Sequence, residues 1–397
     1  MAPLAAGWEA TSIFSGCGGL DLGFLQQGIF SHAAYDLDRK ALATYAENLS
    51  DVSRPADLAK YTPYTRPGRI LLAGAPCQGF STAGKRLLDD SRNALLMRVA
   101  DIALANQSKV IIIENVPAAF SGQHRKLWEA VEDRLKMAGY NVRRILLEGL
   151  SCGLAQRRKR LFLLCWLGSD CINLHLRNEP SLTVRDALRG VDFAPDNEIE
   201  WPEPRSRDWV IARNIPPGHK LSNVRLSDRA IATWDIPEIY GTTTEQEREM
   251  LVMVARLRRR ERVRSYGDGD PVHVERLSRQ LGRAVHEEIE SLVAKGYLKV
   301  VGESVELRQT YNGRYRRLEW DAPSPTVDTR FGRVDLFLHP ESDRGMTPRE
   351  AARIQGFPDN FKFCGARKEK FVQIGNAVPP PMASTLAEYV REAILKA

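Results

Sequence analysis

No apolar run in this chain approaches the roughly 20 residues that a helix needs to cross a bilayer. Nor does its N-terminal stretch have the basic, apolar and small-residue layout of a secretory signal. A cytoplasmic home is expected. Cysteine is sparse: six residues, at positions 17, 77, 152, 165, 171 and 364, with no C-x-x-C pair. That spacing excludes a paired-cysteine zinc site or a redox dithiol, no metal is expected, and a reducing compartment would keep all six as thiols. There is no internal repeat or low-complexity tract. Charge of one sign is also lacking in excess: 57 basic against 50 acidic residues leave +7, a mild bias that suits polyanionic partners without requiring them.

The 397 residues, 43% of them hydrophobic, suffice for a sizeable core and two or three domains. Through the first third, short apolar runs alternate with amphipathic stretches: TSIFSG, HAAYD, RILLAGAP and KVIIIENV, followed later by RRILLEG and KRLFLLCWLG. Each run reads as a strand and most intervals read as helix, which predicts an α/β fold with a mostly parallel sheet covered by helices. In such sheets ligands bind beyond the carboxyl ends of the strands, where the Gly, Pro, Cys and Glu-Asn clusters of this chain fall. Past residue 180 the rhythm gives way to Pro-, Trp- and Arg-rich sequence such as WPEPRSRDWV and RNIPPGHK. The expected organisation is one domain over 1–180 plus 370–397 and a second, smaller one over 181–369, the C-terminal helix docking back onto the first.

Residues 246–308 have a pattern of their own. Val274, Leu277 and Leu281 recur at helical spacing, then Val285, Ile289, Leu292 and Val293, and YLKVVGESVELR alternates like a two-stranded wing. The basic stretch VARLRRRERVR precedes them. The spacing fits a winged helix-turn-helix, with the helix near 284–295 entering a major groove; it fits equally a small helical insert whose arginines are merely solvated.

IFSGCGGLDLGF follows a strand and opens a helix, so Gly16, Gly18 and Gly19 would let backbone approach a ligand at a helix N-terminus. Asp36, about twenty residues on, stands where a carboxylate can hold ribose hydroxyls. Asp21 replaces the third glycine of the dinucleotide fingerprint, which weakens a nicotinamide reading, and an ordinary tight turn would use the same glycines. Cys77 lies at a strand end in LLAGAPCQGFS, and Glu114 with Asn115 ends the next strand. A lone buried cysteine is structural more often than reactive, and a lone glutamate can be a helix cap. A thiol and a carboxyl presented from neighbouring strand ends make a nucleophile and an acid.

With these residues in place, the chain resembles the DNA (cytosine-5)-methyltransferase family. The resemblance spans the first 165 residues or so and again about 318 to the end, through FSGCGG, GAPCQGFS, SRNALL, ENV, QRRKR, PSPTVDTR, TPREAARIQGFPDNF and GNAVPPP in order. It implies a Rossmann-like methyltransferase domain, with the intervening region as target-recognition domain. The implied cofactor is S-adenosylmethionine, held by Phe14, Gly16, Gly19, Asp36, Leu37, Asp57, Leu58, Pro76, Leu95, Asn376 and Val378. The chain departs from the family at Cys17, in a variable place of the turn, and at Asp36, where glutamate is common. Cys77 is implied as the nucleophile at cytosine C6 and Glu114 as the group holding N3, with Arg158 and Arg160 lining the pocket; Gln78, Ser81 and Asn115 would hold the loop and the base edge.

The implied partner is double-stranded DNA with its target cytosine swung out of the stack, acted on by a monomer working on the nucleoid, with or without a companion restriction endonuclease. Two other readings stay open: a methyltransferase of the same fold acting on tRNA, and a DNA-binding regulator built on a methyltransferase domain.

Overall fold

The structure is a computed structural model that describes residues 8–64, 69–75, 93–120, 122, 125–168, 178–194, 196–224, 226–260, 263–264, 269–308 and 311–392. Pro76, Cys77, Gln78 and Ser81 lie outside the described residues. The chain forms two compact units: residues 1–198, 321–330 and 348–397, and residues 199–320 with 331–347. The division therefore runs at Glu198 rather than at 180, and 321–330 together with 348–369 joins the first unit.

The first unit opens with β1 (Glu9–Ile13), α1 (Gly19–Gln26), β2 (Phe30–Asp36), α2 (Arg39–Asn48), β3 (Ser53–Pro55), β4 (Ile70–Ala73), α3 (Asn93–Ala105), β5 (Val110–Asn115), α4 (Arg125–Met137), β6 (Asn141–Glu148), β7 (Lys159–Trp166) and α5 (Val184–Leu188). All six apolar runs picked out above are strands. Together with β3 they form one sheet in the order β3-β2-β1-β4-β5-β7-β6. Pairings from β3 through β5 are parallel, and β7 alone runs against its neighbours. The connection from β6 to β7 is too short for a helical crossover, so β7 must return antiparallel, wedged between β6 and β5.

Side chains of the central strands alternate between two cores. Ala10, Leu72, Val110, Ile112, Phe162 and Leu164 face one side, and Ile13, Leu71, Ala73, Ile111, Ile113 and Leu163 the other. Each wholly buried Val, Leu, Ile or Phe among them contributes about 1.5–3 kcal/mol. Burial on both faces explains why these strands read as unbroken apolar runs.

The second unit carries α6 (Arg207–Arg213), β8 (Lys220–Leu221), β9 (Ala230–Ile231), α7 (Pro237–Tyr240), α8 (Glu245–Arg260), β10 (Val272–His273), α9 (Val274–Leu281), α10 (His286–Lys295), β11 (Leu298–Val301), β12 (Ser304–Leu307), β13 (Arg316–Arg317) and β14 (Phe337–Leu338). Its buried Arg317 donates to the carbonyls of Ala212, Ile215, His339 and Ser342 and to Asp343, tying the end of α6 and the loop after β14 to β13. From α8 to β12 the chain builds three helices over an antiparallel sheet in the order β10-β12-β11. Leu277, Val285, Ile289 and Leu292, four of the residues noted for helical spacing, are buried in the core of that module, with Val274, Leu281 and Val293 packed at its edge.

The chain then returns to the first unit through α11 (Pro348–Ile354), α12 (Arg367–Asn376) and α13 (Pro380–Val390). The last of these covers a sheet face: Met382, Ala383, Leu386 and Val390 share a core with Leu20 and Phe24 of α1. Gly23 makes the close approach possible, because a Cβ there would press on the Ala383 side chain and sit 2.5 Å from the Pro380 carbonyl. Gly23→Ala should therefore cost about 1–3 kcal/mol by overpacking, against the gain in helix propensity that alanine brings to an unconstrained site. A lower urea midpoint for the variant is expected; an unchanged or higher midpoint would show that α13 can move aside.

Candidate active site

Several chain segments contribute to the carboxyl edge of the sheet. Beyond β1 the backbone turns through Phe14 and Gly16, with φ of 52° and 53°, before Gly19 starts α1 against the Val378 carbonyl. A side chain as large as phenylalanine in the left-handed region is rare and costs about 1–3 kcal/mol, which is typical of ligand-holding turns. Among the described residues nothing lies within 4 Å of where a Cβ would stand on Gly16. Asp36, ending β2, accepts the Gly16 N–H at 2.8 Å and the Asp38 N–H at 2.9 Å. Burial raises its pKa, and those two N–H groups oppose the rise.

Beside it Leu37 is 72% exposed, an uncovered apolar side chain at a strand end. Asn376 is exposed at the end of α12, and Leu95 is half-buried on α3. A glycine turn at Gly16, a carboxyl at the β2 end and an uncovered apolar side chain beside it fit an adenosine-bearing cofactor. Leu58 and Val378 differ from the others: their side chains are core, so only their backbone could face a ligand. Asp57 is half-exposed and takes the Ala59 N–H at 3.1 Å.

Asp21 explains how the turn is held, a role that sequence reading missed. Its buried carboxylate accepts from Ser12 Oγ at 2.8 Å, Ser31 Oγ at 2.5 Å and the Tyr45 hydroxyl at 2.9 Å, joining α1 to β1, β2 and α2. Burial pushes its pKa up and the three hydroxyls offset that. A carboxylate where the dinucleotide fingerprint has glycine was the available signal.

At the end of β5, Glu114 is buried and its Oε1 lies 2.7 Å from Arg160 Nε. The reversed β7 creates this pair: Glu114 stands opposite Phe162 and Asn115 opposite Leu161, so Arg160 enters the sheet at the very edge where Glu114 leaves it. Burial raises the Glu114 pKa, and the Arg160 and Arg158 charges hold it back. Asn115 donates to the Ala75 carbonyl at 3.3 Å and accepts from the Val116 N–H at 2.8 Å. Its bonds are those of an anchor for the chain leading to Cys77. Of the described cysteines, Cys17, Cys152 and Cys165 are buried with thiols pushed up, Cys17 to about 12, which leaves them unreactive at neutral pH.

The two arginines of QRRKR divide their work. Arg160 faces Glu114, whereas Arg158 is 1% exposed and spends its guanidinium on backbone: Val327 O at 2.8 Å, Gly375 O at 3.0 Å and Ala377 O at 2.9 Å. Gln156 donates to Ile354 O and Gln355 Oε1 and accepts from the Val327 N–H, while Gln355 donates to Ile374 O and Ala377 O. These bonds fix PSPTVDTR and GNAVPPP onto the loop before β7. Neither glutamine was singled out from sequence, although both lie inside the motifs quoted.

This sheet, with a glycine turn at β1, a carboxyl at the end of β2 and a carboxyl–guanidinium pair at β5 and β7, is of the methyltransferase class. Residues 9–392 match the family described as C-5 cytosine-specific DNA methylase. The chain belongs to that family and is a DNA (cytosine-5)-methyltransferase. It is similar to the Type II methyltransferase M.AgeI of Thalassovita gelatinovora, 29% identical over 97% of this chain and 100% of that protein. M.XorII, a Type II methyltransferase of Xanthomonas oryzae pv. oryzae, is 30% identical over 97% of this chain and 84% of its own length. In fold it is similar to the Entamoeba histolytica methyltransferase EhMeth, with a TM-score of 0.56, 14% identity, and coverage of 98% of this chain and 99% of that one. Among the described residues no helix is long and apolar enough to cross a membrane.

Arg158→Lys should be severe for a charge-conserving change, since one ammonium cannot reach three diverging carbonyls. Leaving buried acceptors unmet predicts a loss of at least about 2 kcal/mol in a denaturant titration; a loss below half of that would mean the carbonyls find other donors.

Proposed function

We propose that the protein transfers a methyl group from S-adenosylmethionine to C5 of a cytosine in a specific double-stranded DNA sequence, as a Type II modification enzyme or an orphan methylase. The observation that carries this reading is the buried Glu114–Arg160 pair beside the anchored entry to Cys77. The cofactor would be held by the Phe14–Gly19 turn, Asp36 and Leu37, with Asp57, Leu95, Asn376, Pro76 and the backbone of Leu58 and Val378 around it. Bound there, it supplies an electrophilic methyl group.

C5 of cytosine is a poor nucleophile, so the ring must first become an enamine. Cys77 adds through its thiolate to C6, and Glu114, whose protonated form burial favours, hydrogen-bonds N3 and stabilises the charge that develops on the ring. Arg160 orients the Glu114 carboxyl and stands ready for the base carbonyl or a phosphate, with Arg158 as the strut behind it. Gln78 and Ser81 would hold the base edge together with the loop anchored by Asn115. After C5 is alkylated, a base takes its proton and the C6–S bond breaks, releasing Cys77. C6 is out of reach in stacked duplex, so the cytosine must flip into the site.

The second unit is the proposed target-recognition domain, and helices α8–α10 with their three strands have the element order of a winged helix-turn-helix. That reading favours duplex DNA over tRNA as substrate; labelled-methyl transfer to each of the two separates them. Cys77→Ser should abolish transfer while cofactor affinity stays near wild type, and duplex containing 5-fluorocytosine should trap the wild-type protein covalently. Absence of a trapped adduct would refute the thiol route. Glu114→Gln should lower kcat by about 10²–10⁴-fold with little change in DNA affinity. Because the working form of Glu114 carries a proton and its pKa is raised, kcat/KM should fall as pH rises through that pKa, and this alkaline limb should vanish in the glutamine variant.

A further inference from the structure

In a winged helix-turn-helix the second helix of the turn is the expected DNA reader, here α10. Its chemistry is wrong for that place. The first turn of α10 carries Glu287 and Glu288, with Glu290 following; Glu287 and Glu290 are exposed. Three of the nearby cations are already paired with carboxylates. Lys295 pairs with Glu247 at 2.6 Å, Arg283 with Glu249 and Glu288 at 3.3 Å each, and Lys299 with Glu306 at 3.0 Å. On the wing, the Glu303 side chain is 88% exposed. A duplex with a charge every ~1.7 Å would be repelled by this face.

Helix α8 has the opposite character at its C-terminal end. Arg256, Arg259 and Arg260 are all exposed and stand at i, i+3 and i+4, hence side by side on one helical face. Among the described residues none of the three has an ion-pair or hydrogen-bond partner. The intervening Arg258 is buried and donates to the Val224 carbonyl, which pins the helix end to the loop before β9. The opposite face of α8, through Met250, Leu251, Val254 and Leu257, is sunk in the module core. The arginine face is thus presented on a fixed rod about 24 Å long.

We infer that the module binds the duplex through phosphate contacts from Arg256, Arg259 and Arg260 of α8, and not through insertion of α10 into the major groove. The role is one of affinity and placement: phosphates carry no sequence, so this face lends grip to whatever base readout lies elsewhere. The inference rests on the reading of the second unit as DNA-binding.

The test uses the full chain and a pool of random-sequence duplex, with salt slopes read on the pool and site preference from sequencing the bound fraction, so it does not depend on methyl transfer taking place. The triple variant R256Q/R259Q/R260Q keeps helix propensity, and circular dichroism confirms its fold. Its plot of log K against log[salt] should flatten by about 2–3 units, at roughly 0.9 for every phosphate that is no longer neutralised, with affinity down on the order of tenfold or more at low salt. The R256K/R259K/R260K variant should restore most of the slope. E287Q/E290Q should leave affinity unchanged or slightly higher and site preference intact. An unchanged slope in the glutamine triple, or weaker binding and altered site preference in E287Q/E290Q, would overturn the inference. Failure of the wild type to methylate any DNA would sink the proposed function while leaving the salt slopes readable.

Discussion

Much of this molecule depends on the direction of one strand. Had β7 run parallel to β5, its first residues would have lain at the amino edge of the sheet, far from every residue with a chemical task. Because it returns from β6 by a short connection, Arg160 meets Glu114 and the preceding loop meets the segments around Val327 and Gly375. One geometric constraint on chain length between strands thus sets both the acid's electrostatic partner and the frame around it. The pair is itself a compromise. Burial alone would drive Glu114 neutral, and a guanidinium beside it restrains that drive, so its proton is held by opposing forces.

The sheet and most of its helices were legible because burial on both faces writes each central strand as an apolar run bounded by turn residues. The short edge strand Ser53–Pro55 was not: three residues, two of them exposed, leave no run to see. Of the site, the residues at strand ends could be placed by position alone, and Glu114, Asn115, Asp36 and Phe14 are found at that edge. What periodicity could not convey is how a polar side chain divides its bonds. Arg158 and Arg160 look alike in QRRKR, yet one is a buried clamp on three carbonyls and the other faces a carboxyl. Leu58 and Val378 fit the family's cofactor motif, but their side chains complete the core.

The region after residue 180 was less readable for a related reason. Its loops are fastened by side chains to backbone, as Arg317 shows with four carbonyl acceptors drawn from Ala212 to Ser342. Such knots leave no periodic trace. The insert within it was readable in outline because its helices bury regular apolar stripes. Its surface charge had to be sorted by structure, since only the neighbours of each arginine tell whether it is neutralised, buried or open to solvent.

The order in which the first unit is completed has a consequence for biogenesis. Its sheet is finished by β7, yet α13, which covers one face, and Gly375 and Ala377, which Arg158 holds, come from beyond the second unit in the chain. A ribosome makes those residues only after the whole second unit. During translation this face, with Leu20 and Phe24 of α1, must wait without its α13 cover, a state prone to sticking to other nascent chains and a natural client for chaperones. A premature stop anywhere in the second unit would release a chain unable to close its own core. Such a fragment would meet proteolysis before it met DNA.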